Sequence, residues 1–168
     1  AQVRSLFDDS QNRIQTMAVI HEQLYQSDDL SEINFADYIY RLVSNLFLSY
    51  NHYHTGIKPV THLQECHLNI ETAIPAGLLI NELVTNAFKH AFPNGEGEVV
   101  INLTTKEKET IELEVTDNGI GFPENLNWEE TNSLGIRLVR LLTQQLDGEI
   151  FVESAKNQGS RFRLIFKN

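Results

Sequence analysis

A four-three spacing of mostly apolar positions runs along the first part of the chain. Its members are Val3, Phe7, Ser10, Ile14, Met17, His21 and Leu24. This spacing is typical of a helix that packs lengthwise against another helix. We therefore predict a helix from about Val3 to Gln26, followed by a hinge near Ser27–Ile33. A second helix comes next, with an apolar stripe between Phe35 and Tyr50 and with Asn34 as its N-cap.

From Gly56 onward the pattern changes to short segments of the kind expected for strands. We predict a hairpin from residues 57–63 and 66–72, and then a helix that opens at Pro75 and runs to about Ala91. Two strands, a helix and two further strands are predicted at 99–105, 110–116, Ser133–Leu146, 149–154 and 161–166. Strands joined by short turns indicate an antiparallel or mixed sheet covered on one face by helices, which is an α+β fold of two layers.

Composition and charge restrict the class of protein and its partners. The chain has 168 residues, of which 41% are hydrophobic, so we expect a globular domain with an appendage rather than a disordered chain. The net charge of −10 argues against nucleic acid and anionic membranes as partners. The single cysteine, Cys66, fits a reducing compartment, and we expect a cytoplasmic location. No apolar run approaches the roughly 18 residues of a membrane helix, so we expect no membrane segment in this chain.

The predicted helix that contains NELVTNAFKH combines an apolar face with a polar one. At about 100° per residue, Glu82, Asn86, Lys89 and His90 lie within one quadrant. An amide oxygen suits a hard cation such as Mg²⁺, a lysine attracts phosphate, and a carboxylate can orient or deprotonate a group. The pattern is that of a helix lining a polar pocket, although an ordinary amphipathic helix with a solvated polar face would show it too.

The segment DNGIGFP follows an alternating strand and contains two glycines that permit close backbone approach. It is not a dinucleotide-binding loop, because Pro123 and Glu124 stand where the third glycine and the helix start should be. A carboxylate at Asp117 would repel phosphate but can accept a hydrogen bond from the exocyclic amine of a base. A plain β-turn is the alternative, since a calcium loop would need more oxygen ligands at alternate positions.

The segment NSLGIRLVRLL predicts a helix that begins with a cap and a glycine. Asn132 or Ser133 can cap this helix, and Gly135 lies in its first turn. Free backbone N–H groups at a helix N-terminus bind anions, and the glycine leaves room for a phosphate beside the backbone. A capped surface helix without a ligand remains the alternative.

Together and in this order, NELVTNAFKH, DNGIG, SLGI and GSRF resemble the ATPase superfamily of gyrase, heat-shock chaperones, histidine kinases and mismatch-repair proteins. The resemblance covers about residues 34–168 and implies a Bergerat-type α/β sandwich with a mixed sheet. Within the superfamily the chain resembles sensor histidine kinases, in particular the subgroup with Glu in the N-box. The upstream helix of that subgroup is similar to RIQTMAVIHEQLYQSDDL, which extends the resemblance to nearly the whole chain.

The resemblance implies ATP and Mg²⁺ as ligands and assigns roles to the polar helix face. Asn86 would coordinate Mg²⁺, and Glu82 beside it would orient or deprotonate a group. Lys89 and His90 would contact the phosphates.

The same resemblance assigns the base-binding wall. Asp117 would hydrogen-bond the adenine amino group, Gly119 and Gly121 would shape the wall, and Ser160 would lie near a water bound to adenine. The segment 122–132 would form a short lid over the nucleotide.

The resemblance places the second glycine box at the start of the last helix. Backbone amides at Leu134 and Gly135 would lie at the phosphates. Ser133 replaces the first glycine of the usual box. Trp128 lies in the lid segment rather than in the strand where the HWE relatives carry Trp, which argues against that subgroup.

The expected function is that of a histidine kinase ATP-binding domain at 31–168, preceded by the second helix of a dimerisation hairpin at 1–30. The implied reaction transfers the γ-phosphoryl group of ATP to a histidine and then to an aspartate of a response regulator. The implied parent is a homodimer with an upstream sensor domain. His21 lies on the apolar seam and matches the histidine of the second helix, so we expect the phosphoacceptor upstream of this chain.

Two other functions remain open at this point. A serine kinase of the anti-sigma type shares the nucleotide fold, but the helix from Val3 to Gln26 argues against it. A docking module that no longer binds nucleotide is the other, and the joint presence of Asn86, Asp117 and Gly135 argues against that.

Overall fold

The computed structural model describes most of the chain from residue 32 onward. The described residues are 32–50, 56–107, 109–123 and 133–168, together with Ser10, Gln11, Ile14, Ala18, Val19, Glu22, Leu126, Trp128, Glu130 and Thr131. The six that precede residue 23 are helical, as predicted, and Val19 packs against the core while Ile14 is exposed. His21 and the other residues of the predicted first helix lie outside the described residues, as does most of the predicted hinge.

Helix α1 spans Phe35–Tyr50 and confirms the predicted amphipathic helix. The Asn34 side chain caps it, because its Oδ1 accepts a hydrogen bond of 3.1 Å from the Asp37 amide. The stripe that faces the core consists of Phe35, Tyr38, Ile39, Leu42, Val43, Leu46 and Phe47. Burial of this stripe fixes the helix against the rest of the domain.

The predicted hairpin of residues 57–63 and 66–72 is wrong. Strand β2 (Gly56–Leu63) does exist, but β3 is only His67–Leu68, and it pairs antiparallel with the short β1 (Ile33–Asn34). Residues 70–72 are helical instead, because Asn69 Oδ1 accepts a hydrogen bond of 2.9 Å from the Thr72 amide and caps the next helix.

Helix α2 therefore begins at Ile70, before Pro75, and runs to Asn86. A π-helical turn at Ala87–Ala91 continues it, so the predicted end near Ala91 is confirmed. This helix connects β2 to β4, which spans Glu96–Lys106, and the two strands pair in parallel. A helical crossover is the usual connection between parallel strands. Strand β2 therefore pairs with β4, across α2, and not with β3, the next strand in sequence.

The main sheet has five strands in the order β2-β4-β5-β7-β6. Its remaining strands are β5 (Thr110–Asp117), β6 (Glu149–Ser154) and β7 (Ser160–Lys167), and all their pairings are antiparallel. One parallel pairing among antiparallel ones makes the sheet mixed, as predicted. The register places Asp117 directly opposite Ser160.

Alternation along the strands separates the two faces of the sheet. The buried positions, which join the core shared with the helices, are Val99, Ile101, Leu103, Ile111, Leu113, Val115, Phe162, Leu164 and Phe166. Most of the intervening positions are polar or charged, and Val100 and Ile165 are the apolar exceptions in β4, β5 and β7. For example, Arg161 Nη2 lies 2.6 Å from Glu114 Oε2. The arrangement is the predicted two-layer α+β fold with its helices on one face of the sheet.

Helix α3 spans Leu134–Gln145 and packs beside α2. Ser133 caps it, with Ser133 Oγ 3.4 Å from the Ile136 amide nitrogen. After the helix, Asp147 takes the left-handed conformation, and the Gly148 amide donates to the Thr143 carbonyl oxygen. Among the described residues, no helix is both long enough and apolar enough to cross a membrane.

Candidate functional site

A cavity of about 410 Å³ opens between α2, the glycine loop of residues 117–123 and the start of α3. Five of the predicted site residues line it, namely Asn86, His90, Asp117, Gly121 and Ser160. These residues are far apart in sequence, and the register of β5 with β7 and the packing of α3 on α2 bring them together. This volume lies within the range of small-molecule sites, which is roughly 300–1,000 Å³.

Much of the remaining cavity wall is apolar and was not predicted. It includes Leu83, Ala87, Val115, Ile120 and Phe162, whereas Trp128, another apolar lining residue, belongs to the predicted lid segment. Strand alternation places Val115 and Phe162 on the buried face of the sheet. The sequence pattern therefore indicated which face they occupy, but it did not indicate that they line a cavity. An apolar slot with a few polar groups is suited to a planar aromatic ligand such as a nucleotide base.

The glycine loop is held on both sides by backbone contacts. On one side the Ile120 amide donates to the Ala91 carbonyl oxygen at 2.9 Å, and a Cβ on Gly119 would overlap that same oxygen. On the other side Gly121 has φ +64°, and a Cβ there would overlap the Ala155 carbonyl oxygen. Both glycines are therefore required by the close packing of the loop.

Asp117 is a buried carboxylate at the wall of the cavity. Burial raises the pKa of its carboxyl above the ordinary value, while hydrogen bonds from the Gly119 amide and from Ser160 oppose the rise. The Gly119 amide donates to Asp117 Oδ1 at 2.9 Å. A ligand group that donates a hydrogen bond to this carboxylate would offset part of the cost of burying its charge.

The opposite part of the site lies where α2 meets the N-terminus of α3. A Cβ added to Gly135 would stand 3.4 Å from Glu82 Oε2 and 3.5 Å from Asn86 Oδ1. Glu82 is buried, and its Oε1 lies 3.4 Å from the amide nitrogen of the buried Asn81. Two side-chain oxygens thus flank a helix N-terminus. This set combines the hard ligands that Mg²⁺ prefers with the N-terminus of a helix, which favours phosphate.

The end of the predicted polar helix face lies in the π-helical turn, Ala87–Ala91. His90 lines the cavity, whereas Lys89 is exposed and is not among the lining residues. Leu134, the first residue of α3, is exposed and does not line the cavity either. The phosphate-binding roles predicted for Lys89, His90 and the amide of Leu134 stay predictions.

The predicted lid contributes to the cavity where it is described. Leu126 and Trp128 line the cavity, and so does Thr131. Helix α3 holds the end of this segment, because Arg140 Nη2 donates to the Thr131 carbonyl oxygen at 2.9 Å. Its other residues include Glu124 and Asn132, which lie outside the described part of the chain.

Comparisons with known proteins agree with the fold and indicate the family. Residues 71–168 match the model of the histidine kinase-, DNA gyrase B- and HSP90-like ATPase family, and residues 1–50 match a histidine kinase family model. Blue-light-activated histidine kinase 2 of Erythrobacter litoralis is 31% identical over 161 residues, which cover 89% of this chain and 44% of that protein. Sensor histidine kinase PdtaS of Mycobacterium tuberculosis is 28% identical over 166 residues, which cover 95% of this chain and 32% of that protein.

A solved structure shares the fold over nearly the whole chain. The histidine kinase domain of the Erythrobacter litoralis EL346 blue-light-activated kinase superposes with a TM-score of 0.85 at 25% identity, covering 95% of this chain and 74% of that one. The chain spans less than half the length of the two curated relatives. On the strength of the match over residues 71–168, the chain belongs to the histidine kinase-, DNA gyrase B- and HSP90-like ATPase family.

Proposed function

We propose that this chain consists of two parts of a sensor histidine kinase. Residues 1–30 would be the second helix of a dimerisation hairpin, and residues 31–168 would be the ATP-binding catalytic domain. One observation carries the proposal. A single cavity has a buried acceptor carboxylate, Asp117, on its wall and adjoins the oxygen-flanked N-terminus of α3. ATP has matching ends, because its base donates a hydrogen bond from an amino group and its phosphates are anionic.

At the base end, Asp117 would accept the hydrogen bond from the adenine amino group. The apolar wall, including Val115 and Phe162, would cover the faces of the ring. Guanine carries a carbonyl oxygen where adenine carries the amino group, and that oxygen would face a carboxylate. The site would therefore prefer adenine nucleotides.

At the phosphate end, the amides around Gly135 would bind the phosphates, with Lys89 and His90 as further contacts. Asn86 would hold Mg²⁺ through its amide oxygen, and Glu82 beside it would orient the group that it faces. A bound Mg²⁺ would neutralise charge on the phosphates. The domain itself would hold and position the triphosphate, which is most of what phosphoryl transfer requires of a protein.

The proposed reaction moves the γ-phosphoryl group from ATP to a histidine nitrogen. The bond from the γ-phosphorus to the β–γ bridging oxygen breaks, a P–N bond forms, the imidazole releases its N–H proton to solvent, and ADP leaves with the electron pair of the broken bond. The phosphoryl group would then pass to an aspartate of a response regulator. The parent protein would act as a homodimer with an upstream sensor domain, and the cytoplasmic location expected from the sequence stays a prediction.

Calorimetric titration tests nucleotide binding by the chain. ATP, a non-hydrolysable ATP analogue and GTP are titrated with and without Mg²⁺. The proposal predicts saturable binding that depends on Mg²⁺ and favours adenine over guanine. Absence of binding at millimolar nucleotide would contradict it and would favour a docking module.

Incubation with γ-labelled ATP and Mg²⁺ tests the acceptor. We expect no acid-labile label on this chain, because the acceptor histidine is predicted to lie upstream. Acid-labile label that disappears in His21→Gln would place the acceptor within the chain. Acid-stable label on serine would instead indicate a serine kinase of the anti-sigma type.

A further inference from the structure

The hydroxyl of Ser154, at the end of β6, connects three parts of the base-binding wall. Its Oγ accepts a hydrogen bond of 2.8 Å from the Phe122 amide in the glycine loop. It lies 3.0 Å from the Gly159 carbonyl oxygen and 3.0 Å from Ser160 Oγ. No feature of the sequence singled out this residue, because its contacts depend on where the loop meets the β6–β7 hairpin.

Ser160 passes this connection on to Asp117. The two residues lie opposite each other in the β5–β7 pairing, and both are buried. Hydrogen bonds from the hydroxyl and from the backbone of Ser160 favour the charged form of Asp117. Ser154 therefore lies one hydroxyl group away from the carboxylate that would recognise the base.

The protons that each group carries limit which atoms can donate and which can accept in this network. The Phe122 amide can only donate, so Ser154 Oγ accepts there. An ionised Asp117 can only accept, so the single hydroxyl proton of Ser160 goes to the carboxylate. Ser160 Oγ then accepts the proton of Ser154, which Gly159 O shares at the same distance. When the Ser154 proton goes to Ser160 rather than to Gly159 O, the donors run from Phe122 through Ser154 and Ser160 to Asp117, and such chains strengthen each of their hydrogen bonds.

The surrounding backbone leaves this network little freedom. The Asn157 amide donates to the Ile120 carbonyl oxygen at 2.7 Å, which ties the hairpin turn to the loop. Gly159 has φ +78°, and a Cβ there would overlap the Asp117 carbonyl oxygen. The hydroxyl of Ser154 is thus held at a fixed place between two closely packed segments.

We propose that Ser154 is a positioning residue that determines base specificity, because it orients the Ser160 hydroxyl so that Asp117 presents an acceptor to the base. This inference rests on the proposed function, in which Asp117 accepts a hydrogen bond from the adenine amino group. Ser154 itself does not line the cavity. Its effect is therefore confined to ligands that use that hydrogen bond.

The test compares ATP with the triphosphate of purine riboside, which carries hydrogen where adenine carries its amino group. Binding of both to the wild type and to Ser154→Ala is measured by calorimetry with Mg²⁺. We expect Ser154→Ala to lose roughly threefold to tenfold in ATP affinity, the size of one hydrogen bond, and to bind the purine riboside triphosphate as the wild type does. Ser154→Thr, which keeps the hydroxyl, should restore ATP affinity.

Ser44→Ala is the matched control, since it also removes a hydroxyl that donates to a backbone carbonyl, that of Tyr40, and Ser44 does not line the cavity. It should bind both nucleotides as the wild type does. Ser154→Cys keeps the size of the side chain with a weak donor, and it gives the same comparison if the alanine variant fails to fold.

The outcomes separate this inference from the proposed function. A wild type that binds ATP no better than the purine riboside triphosphate contradicts the role proposed for Asp117. A selective wild type with an unchanged Ser154→Ala overturns the inference alone. Equal loss of both nucleotides in Ser154→Ala also overturns it, because that result indicates general damage to the loop.

Discussion

A methyl group added to Gly135 would stand 3.5 Å from Asn86 Oδ1 and 3.4 Å from Glu82 Oε2. Both distances are ordinary van der Waals contacts, so the fold itself has room for alanine at this position. The space next to Gly135 is therefore available to a ligand rather than required by packing. At Gly119 and Gly121, by contrast, an added methyl group would overlap backbone atoms.

Gly135→Ala is predicted to stabilise the protein and to weaken ATP binding. Alanine in a helix is favoured over glycine by roughly 0.5–1 kcal/mol, whereas its methyl group would occupy the space proposed for a phosphate. Thermal melting and calorimetry measure the two effects. Gly121→Ala is the contrast and should lower the free energy of unfolding by about 1–3 kcal/mol, because φ is positive there. A Gly135→Ala variant that binds ATP as the wild type does would contradict the phosphate role.

Asp117→Asn is predicted to raise the stability of the nucleotide-free protein at neutral pH by about 0.5–2 kcal/mol and to weaken ATP binding. Burial raises the pKa of Asp117 in the folded state. A raised folded pKa gives stability that is fully present below the unfolded pKa and is lost as pH rises through the folded pKa. The advantage of asparagine should therefore shrink in acid. Melting curves of both proteins from neutral to acidic pH measure how the stability difference changes. A stability advantage of Asp117→Asn that grows in acid would contradict a raised pKa of Asp117.

Asn86→Ala is predicted to abolish the dependence of ATP binding on Mg²⁺, since the amide oxygen proposed to hold the ion is removed. Residual binding through the base should remain. Calorimetry with and without Mg²⁺ measures this difference. Asn45→Ala, the same change at an exposed position of α1, is the control and should retain the full Mg²⁺ effect. An unchanged Mg²⁺ dependence in Asn86→Ala would exclude the proposed metal role.

Tyr38→Phe is predicted to raise the free energy of unfolding by about 1 kcal/mol. The Tyr38 hydroxyl is fully buried, and within the part of the chain that the structure describes it has no hydrogen-bonding partner. Removing an unpaired buried hydroxyl removes its desolvation cost. Tyr40→Phe, at an exposed position of the same helix, should change stability by less than about 0.5 kcal/mol. Chemical denaturation of the two variants compares them, and a destabilised Tyr38→Phe would show that the hydroxyl is paired.

Local signals in the sequence predicted much of the fold. The cap at Asn34, the apolar stripe of α1 and the alternation in β4, β5 and β7 are all decided within one segment, and the structure contains each of them. The pairing of β2 was mispredicted because its partner strand, β4, lies beyond a whole helix. The start of α2 was misplaced because the Asn69 cap determines it and Pro75 does not.

Signals within single segments of the sequence also predicted part of the candidate site. Asn86, Asp117 and Gly135 belong to short motifs, so the sequence pointed to them directly. Ser154 belongs to no motif and to no predicted segment of the site. Its position depends on how β6 meets the glycine loop. Such relationships follow from the register of distant segments, which periodicity within one segment does not determine.

Fluorescence of Trp128 directly tests whether this cavity binds ATP with Mg²⁺. The chain has one tryptophan, and that residue lines the cavity, so its emission reports on this site alone. Titration with ATP in the presence of Mg²⁺ should change the emission to saturation, and GTP should produce a much weaker change at the same concentrations. No saturable change up to millimolar ATP, or an equal response to GTP, would contradict adenine-selective nucleotide binding at this cavity.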